Sequence, residues 1–286
     1  MNTPSHANTI LVLGGTGKTG RRIAERLIEL GYDTRIGSRS APTPFDWLDR
    51  DTWLAAVRGV NSVYVSYFPD LAVPGAVETV QAFTDVAVSC GVQKLVLLSG
   101  RGEEEAERAE DVIKNSGVNW TILRASWFSQ NFNESFLLDA VRSGVIALPV
   151  SDIGEPFIDV EDIADVAVAA LTETGHAGQL YELTGPRLLT FADVAREISA
   201  ASGRPVRFEY IDAALYIDGL HQHGIDQNFI DLLMYLFNNV LNGRNAYTTD
   251  GVQRALGRAP RDFAQYAKDT AATGVWDAPA LQAALA

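Results

Sequence analysis

The chain has 286 residues, 47% of them hydrophobic, and a formal net charge of −13. That length suits one large α/β domain, or such a domain with a smaller substrate-binding part. The negative balance argues against non-specific nucleic-acid binding, which runs on Lys and Arg neutralising phosphates, and leaves room for a local basic pocket. No apolar run reaches membrane-spanning length, and Met1–Asn8 lacks the basic and apolar regions of a signal peptide. The single cysteine, Cys90, rules out an intramolecular disulfide and suits a reducing compartment, so a cytoplasmic location is expected. Ending an apolar helix pattern, Cys90 reads as a small packed residue rather than a nucleophile.

In chain order, an apolar strand over Thr9–Leu13 runs into Gly14-Gly-Thr-Gly-Lys-Thr-Gly20 and then an amphipathic helix that buries Ile23, Leu27, Ile28 and Leu30. Gly14, Gly17 and Gly20 at G-x-x-G-x-x-G spacing let the backbone approach a pyrophosphate, and the helix N-terminus adds unpaired N–H groups. Gly17-Lys18-Thr19 also matches the end of a P-loop, but the glycine required five residues before Gly17 is Val12. A second strand is expected over Asp33–Gly37, a short third near Pro44–Trp47, a helix over Arg50–Val57 and a fourth strand over Ser62–Ser66. A long helix over Val73–Cys90, a strand over Lys94–Leu98, a charged helix over Glu103–Asn115 and a strand over Trp120–Leu123 follow.

This alternation predicts a doubly wound, Rossmann-like parallel sheet with its ligand outside the carboxyl ends of the strands. After residue 125 helices dominate: Asn133–Ser143, Val160–Glu173, Phe191–Ala201, Asp212–Gly219, Asp226–Leu241 and Arg261–Ala272. Short strands near Val145–Leu148, Leu180–Leu183 and Arg207–Tyr210 are expected in part to extend the sheet. The expected division is 1–150 as a dinucleotide-binding domain and 151–286 as a sheet extension and helical cap, packed together without a linker.

An NAD-preferring site places an acid at the end of the second strand, but that end reads Gly37-Ser38-Arg39-Ser40. A hydroxyl and a guanidinium there suit a 2′-phosphate, so the reading is NADP(H), against a merely solvated Arg39. Asp46 and Trp47 are placed to border the adenine, Trp47 being equally suited to core packing. Tyr67, Phe68, Trp127, Phe128 and Phe132, with Asn131 as a polar anchor, form a candidate pocket for a small apolar substrate, against simple core packing. Tyr216, Tyr235 and Phe237 either close that pocket or pack as core. His221 and His223 lack Cys or acidic partners at metal-ligand spacing, so no metal is expected.

Gly14–Gly20, Gly37–Ser40, Leu97-Leu-Ser-Gly-Arg101 and Thr121-Ile-Leu-Arg-Ala-Ser-Trp-Phe-Ser-Gln-Asn131 together resemble the NmrA-like, atypical short-chain dehydrogenase/reductase family. The stretch from Leu236 to Trp276 is most similar to the branch containing fungal ergot-alkaloid reductases of the agroclavine dehydrogenase type. The resemblance implies phosphate contacts at Thr16, Gly17, Lys18 and Thr19 and a 2′-phosphate contact at Arg39. It also implies nicotinamide-side contacts from Ser66, Tyr67, Phe68, Ser99, Gly100 and the turn from Ala125 through Trp127 to Phe128.

The Tyr/Lys pair of ordinary short-chain dehydrogenases, whose Tyr protonates a carbonyl oxygen, is absent; counting back from Glu110, its places fall near Glu103 and Glu107, within Glu103-Glu-Glu-Ala-Glu-Arg-Ala-Glu110. That run reads first as a solvated helix face, and as a proton donor only if burial raises one carboxyl's pKa. No catalytic residue is assigned. The expected function is NADPH-dependent hydride transfer to a small apolar acceptor of the imine, enone or quinone type. Its alternatives are a non-catalytic NADP(H)-binding regulator acting through a protein partner and an isomerase or lyase using nicotinamide structurally. The expected partners are a small-molecule substrate and no nucleic acid or membrane, with homo-oligomerisation left open.

Overall fold

A computed structural model describes residues 8–277, so Met1–Asn8, read above as no signal peptide, lies outside them except for Asn8. In chain order the elements are β1 Ile10–Leu13, α1 Lys18–Glu29, β2 Thr34–Gly37, α2 Trp53–Val57, β3 Ser62–Val65, α3 Ala76–Ser89, β4 Lys94–Gly100, α4 Glu104–Lys114 and β5 Asn119–Ala125. They continue with α5 Leu138–Ser143, β6 Val145–Leu148, α6 Val160–Thr172, β7 Gln179–Leu183, α7 Phe191–Ser202, β8 Arg207–Tyr210, α8 Ala213–Gln222, α9 Gln227–Asn239, α10 Gly251–Leu256 and α11 Phe263–Ala272. Short 3₁₀ turns at Arg50–Thr52 and Ser129–Phe132 complete the set.

The main sheet has six parallel strands in the order β2-β1-β3-β4-β5-β7. The chain leaves β2 on one side of β1 and returns as β3 on the other, so the order reverses there, and the carboxyl ends of β1 and β3 flank the switch point. Strands β1 and β3 are fully buried along their length, as expected for a sheet covered on both faces.

The chain divides into two compact units, and the division is not at residue 150. The first unit runs to Ser126 and regains Val160–Thr184 and Thr249–Ala259; the second holds Trp127–Asp159, Gly185–Thr248 and the chain from Pro260. The reason is the parallel sheet. A strand can join β5 in parallel only after a long crossover, so β7 returns to the first unit late in the sequence, with α6 packed on α1 and α10 on β7.

Two further expectations change. Pro44–Trp47 is no strand: Phe45 and Trp47 bury their rings with Trp53 and Phe83 at centroid distances of 5.0–6.4 Å, and the prolines on either side of Thr43 withhold ladder donors. Of the three late strands only Gln179–Leu183 extends the main sheet, while β6 and β8 pair with each other in the second unit. That unit has its own aromatic core of Phe132, Phe157, Phe191 and Phe263. Helix α7 starts on a capping box between Thr190 and Asp193. Cys90 is half-buried against the core of the first unit.

Candidate active site

The glycine turn is built by backbone sterics. Gly14 takes φ of +64°, which a side chain would strain, and the Gly17 N–H donates to its carbonyl at 2.8 Å. A Cβ on Gly20 would run into the Gly14 carbonyl, so only glycine lets α1 begin this close to the turn. The first turn of α1 has no side-chain cap and no acidic residue, leaving the positive end of the helix to face an anion. Thr16 and Gly17 are exposed, Lys18 is half-buried and Thr19 is buried beneath them. Under this turn the fully buried Tyr64 hydroxyl faces Thr19, and burial raises its pKa so that it stays protonated.

At the end of β2, Ser38 and Ser40 hydroxyls lie 3.4 Å apart and the Ser38 carbonyl accepts from Phe45 and Ala41. Arg39 projects into solvent, and among the described residues no carboxylate pairs with it. Trp47 takes the packing alternative: it is 7% exposed, its indole N–H donates to the Ser66 carbonyl at 3.0 Å and its ring lies 4.9 Å from Tyr67. It therefore offers no open ring face to an adenine and instead fixes the loop that carries Ser66 and Tyr67. Asp46 stays half-exposed, its carboxylate accepting from the Leu48 N–H. Phe68, next to Tyr67, is 71% exposed, a large ring held in water.

At the end of β4 the Ser99 hydroxyl is turned inward, donating to the fully buried Glu110 carboxylate at 2.7 Å. Glu110 is neutralised by a two-pronged contact from Arg124 at 2.6 and 2.7 Å, and by Lys114 at 3.2 Å. The hydrogen bond from Arg124 to Glu110 keeps the guanidinium firmly charged. Ser99 thus serves this internal network. The carboxyl of Glu103 folds over Gly100 and fills the space a side chain there would need. The carboxyl of Asp70, in the loop after β3, faces it. Burial, with the charge of Asp70, holds the Glu103 carboxyl well above the usual carboxylate range, and burial also raises Asp70 against the opposing bond from the Ala72 N–H. The sequence named Glu103 and Glu107 together as the places of the missing pair; burial separates them, since Glu107 is exposed, and the other buried acid of the run, Glu110, is already paired with Arg124.

Gly14, Thr16, Gly17, Lys18, Thr19, Ser38, Arg39, Asp46, Ser66, Tyr67, Phe68, Gly100 and Ala125 all belong to the first unit. Trp127, Phe128, Asn131 and Phe132 belong to the second. There Phe132 is fully buried in the aromatic core, its carbonyl accepting from the Trp276 indole at 2.8 Å, so it does not line a pocket. Trp127 packs on Phe237 at 6.2 Å, and Phe237 on Tyr216 at 5.6 Å; Phe128 and Asn131 are half-buried. The buried Trp127 indole N–H has no hydrogen-bond partner among the described residues. His221 is engaged by Gln227 at 2.8 Å, and no group of metal-ligating side chains occurs among the described residues.

Residues 6–267 match the profile of the NmrA-like family. The chain belongs to that family. This NmrA-like protein is 32% identical to agroclavine dehydrogenase of Claviceps fusiformis, over 94% of its own chain and 98% of the relative's. It is 30% identical to prestalk A differentiation protein A of Dictyostelium discoideum, over 94% of each. In fold, the NmrA-like chain matches the NADPH complex of an NADPH-dependent quinone oxidoreductase from Escherichia coli with a TM-score of 0.77, at 20% identity, covering 91% of this chain and 99% of that one. No helix among the described residues is long and apolar enough to cross a membrane.

Proposed function

We propose that this protein transfers hydride from NADPH to a small, largely apolar acceptor of the imine or iminium, enone or quinone type. The chain is an NAD(P)H-dependent oxidoreductase of the NmrA-like family, and the observation that carries the cofactor assignment is the uncapped glycine turn at α1 beside an unpaired Arg39. The residues fit the group. The turn and the first N–H groups of α1 would hold the pyrophosphate, and Ser38 and Arg39 a 2′-phosphate. When bound, NADPH supplies the hydride; the protein supplies orientation and exclusion of water.

Tyr67 and Phe68 are proposed as acceptor contacts of the first unit, and Trp127, Phe128 and Asn131 as residues the second unit offers to a small apolar ligand. Electron-poor acceptors suit a site without the Tyr/Lys pair, because they accept hydride with little acid assistance. The clavine dehydrogenase and quinone oxidoreductase likenesses favour that acceptor class.

Fluorescence titration with NADPH and NADH, followed by NADPH consumption over a panel of iminium salts, enones and quinones, tests the proposal. NADPH preference with turnover is the expected result. Tight NADPH binding without turnover on any acceptor would instead place the protein with NADP(H)-sensing regulators.

A further inference from the structure

We infer that the Asp70–Glu103 carboxyl pair is the proton source of this site, Glu103 donating to the reduced acceptor and Asp70 positioning and recharging it. The inference rests on the hydride-transfer reading above. Four observations carry it. Both residues stand at carboxyl ends of neighbouring central strands, Asp70 after β3 and Glu103 after β4, where an open α/β sheet binds its ligand. The Glu103 carboxyl lies directly over Gly100, a position with no side chain of its own to interpose. Glu103 is 6% exposed, yet its Oε2 has no hydrogen-bond partner among the described residues, an arrangement that costs free energy unless something else uses the oxygen. Although Glu103 immediately precedes α4, it does not cap that helix, so its side chain is not committed to the backbone.

The charged groups facing Glu103 are both acids, Asp70 from the loop after β3 and Glu105 from α4. Arg101, two residues away, lies 3.4 Å from Glu182. Two carboxyl groups that face each other out of water cannot both ionise cheaply, so the pair retains a proton. Burial reinforces that retention in Glu103.

The chemistry balances without a further reagent. Hydride reaching a neutral enone or quinone carries two electrons and leaves an anion on oxygen. The Glu103 O–H bond breaks, the proton forms the new O–H bond of the product, and its electron pair stays on the carboxylate. Solvent returns a proton through Asp70, which is only half-buried. A cationic iminium acceptor becomes neutral on hydride addition and takes no proton from the pair. The pair should therefore matter for one acceptor class and not the other.

Two measurements test this. In the cofactor-free protein, infrared spectra should show a protonated carboxylic acid persisting above the ordinary carboxylate range, and Glu103→Gln should abolish it. In turnover, Glu103→Gln should lower kcat for a neutral quinone or enone by roughly 100-fold relative to the same variant's kcat for a cationic iminium dye, the size expected of a general acid. Asp70→Asn should shift the pH profile for the neutral acceptor while retaining part of the rate. Equal effects of Glu103→Gln on both acceptor classes, or no protonated carboxyl in the wild type, would overturn the inference. NADPH binding by the wild type with turnover of neither class would overturn the hydride-transfer reading itself, and the infrared signature would then mark a structural acid pair.

Discussion

At the level of single residues, Arg39 is the proposed determinant of cofactor choice. It is exposed at the end of β2 with no carboxylate partner among the described residues, so its guanidinium is available to a 2′-phosphate at little desolvation cost. Replacing Arg39→Glu removes a charge-assisted bond worth about 1.5–3 kcal/mol and adds repulsion. NADPH affinity should fall at least roughly 10- to 100-fold by that energy, with NADH affinity nearly unchanged, as read by fluorescence titration. An equal loss for both cofactors would remove Arg39 from the site. Arg39 could be proposed from the sequence because the clue is local: a basic residue where an acid would select NAD. Trp47 and Phe132 were not legible, because an aromatic ring in a loop reads the same whether it faces a ligand or a neighbour. Their neighbours, Tyr67 and Phe83 for one and Phe157, Phe191 and Phe263 for the other, arrive from distant parts of the chain.

Among the elements, α1 and its turn act as one piece. Gly20 is where helix and turn touch, and Gly20→Ala would press a methyl group into the Gly14 carbonyl. Overpacking of this kind costs about 1–3 kcal/mol. The variant should lower the urea midpoint and weaken NADPH binding together, because the same shift moves the N–H groups proposed to meet the pyrophosphate. Normal stability with normal NADPH binding would show that the turn yields without cost. Helix and strand identities were readable from apolar periodicity, since a buried helix face and a buried strand differ in period. Strand partnership was not: β6, β7 and β8 are all segments of four or five residues, and the most apolar of them, β6, pairs with β8, while β7 joins the main sheet.

Across the whole molecule, acidity is handled in two opposite ways. Asp262 is held low by hydrogen bonds from Arg187, although burial opposes this, and it also caps α11 through the Ala264 N–H. Glu161 is pushed up by burial but held lower overall by Arg22 and Arg26. For such depressed groups the stabilisation is present above the unfolded carboxylate pKa and is lost as pH falls through the folded one. Asp262→Asn should therefore lower the urea midpoint at neutral pH, and the gap to wild type should close as the solution is acidified below the ordinary carboxylate range. A gap that stays constant with pH would mean that packing or capping, not charge, is what Asp262 contributes. Asp70 and Glu103 have the reverse sign: their raised values favour the folded state at low pH, and that advantage is lost as pH rises through the folded values.

The sequence by itself determined the glycine turn, the parallel α/β rhythm and the basic end of β2 on which the 2′-phosphate proposal rests, because glycine sterics, apolar period and one cation act within a few residues of chain. Only the tertiary structure decided which acid in the run Glu103–Glu110 is buried over Gly100, which aromatics are core, and that the sixth strand of the sheet returns after an excursion into a second unit. Those depend on contacts between residues far apart in sequence, and burial, the quantity that sets a carboxyl group's proton affinity, is a property of the fold.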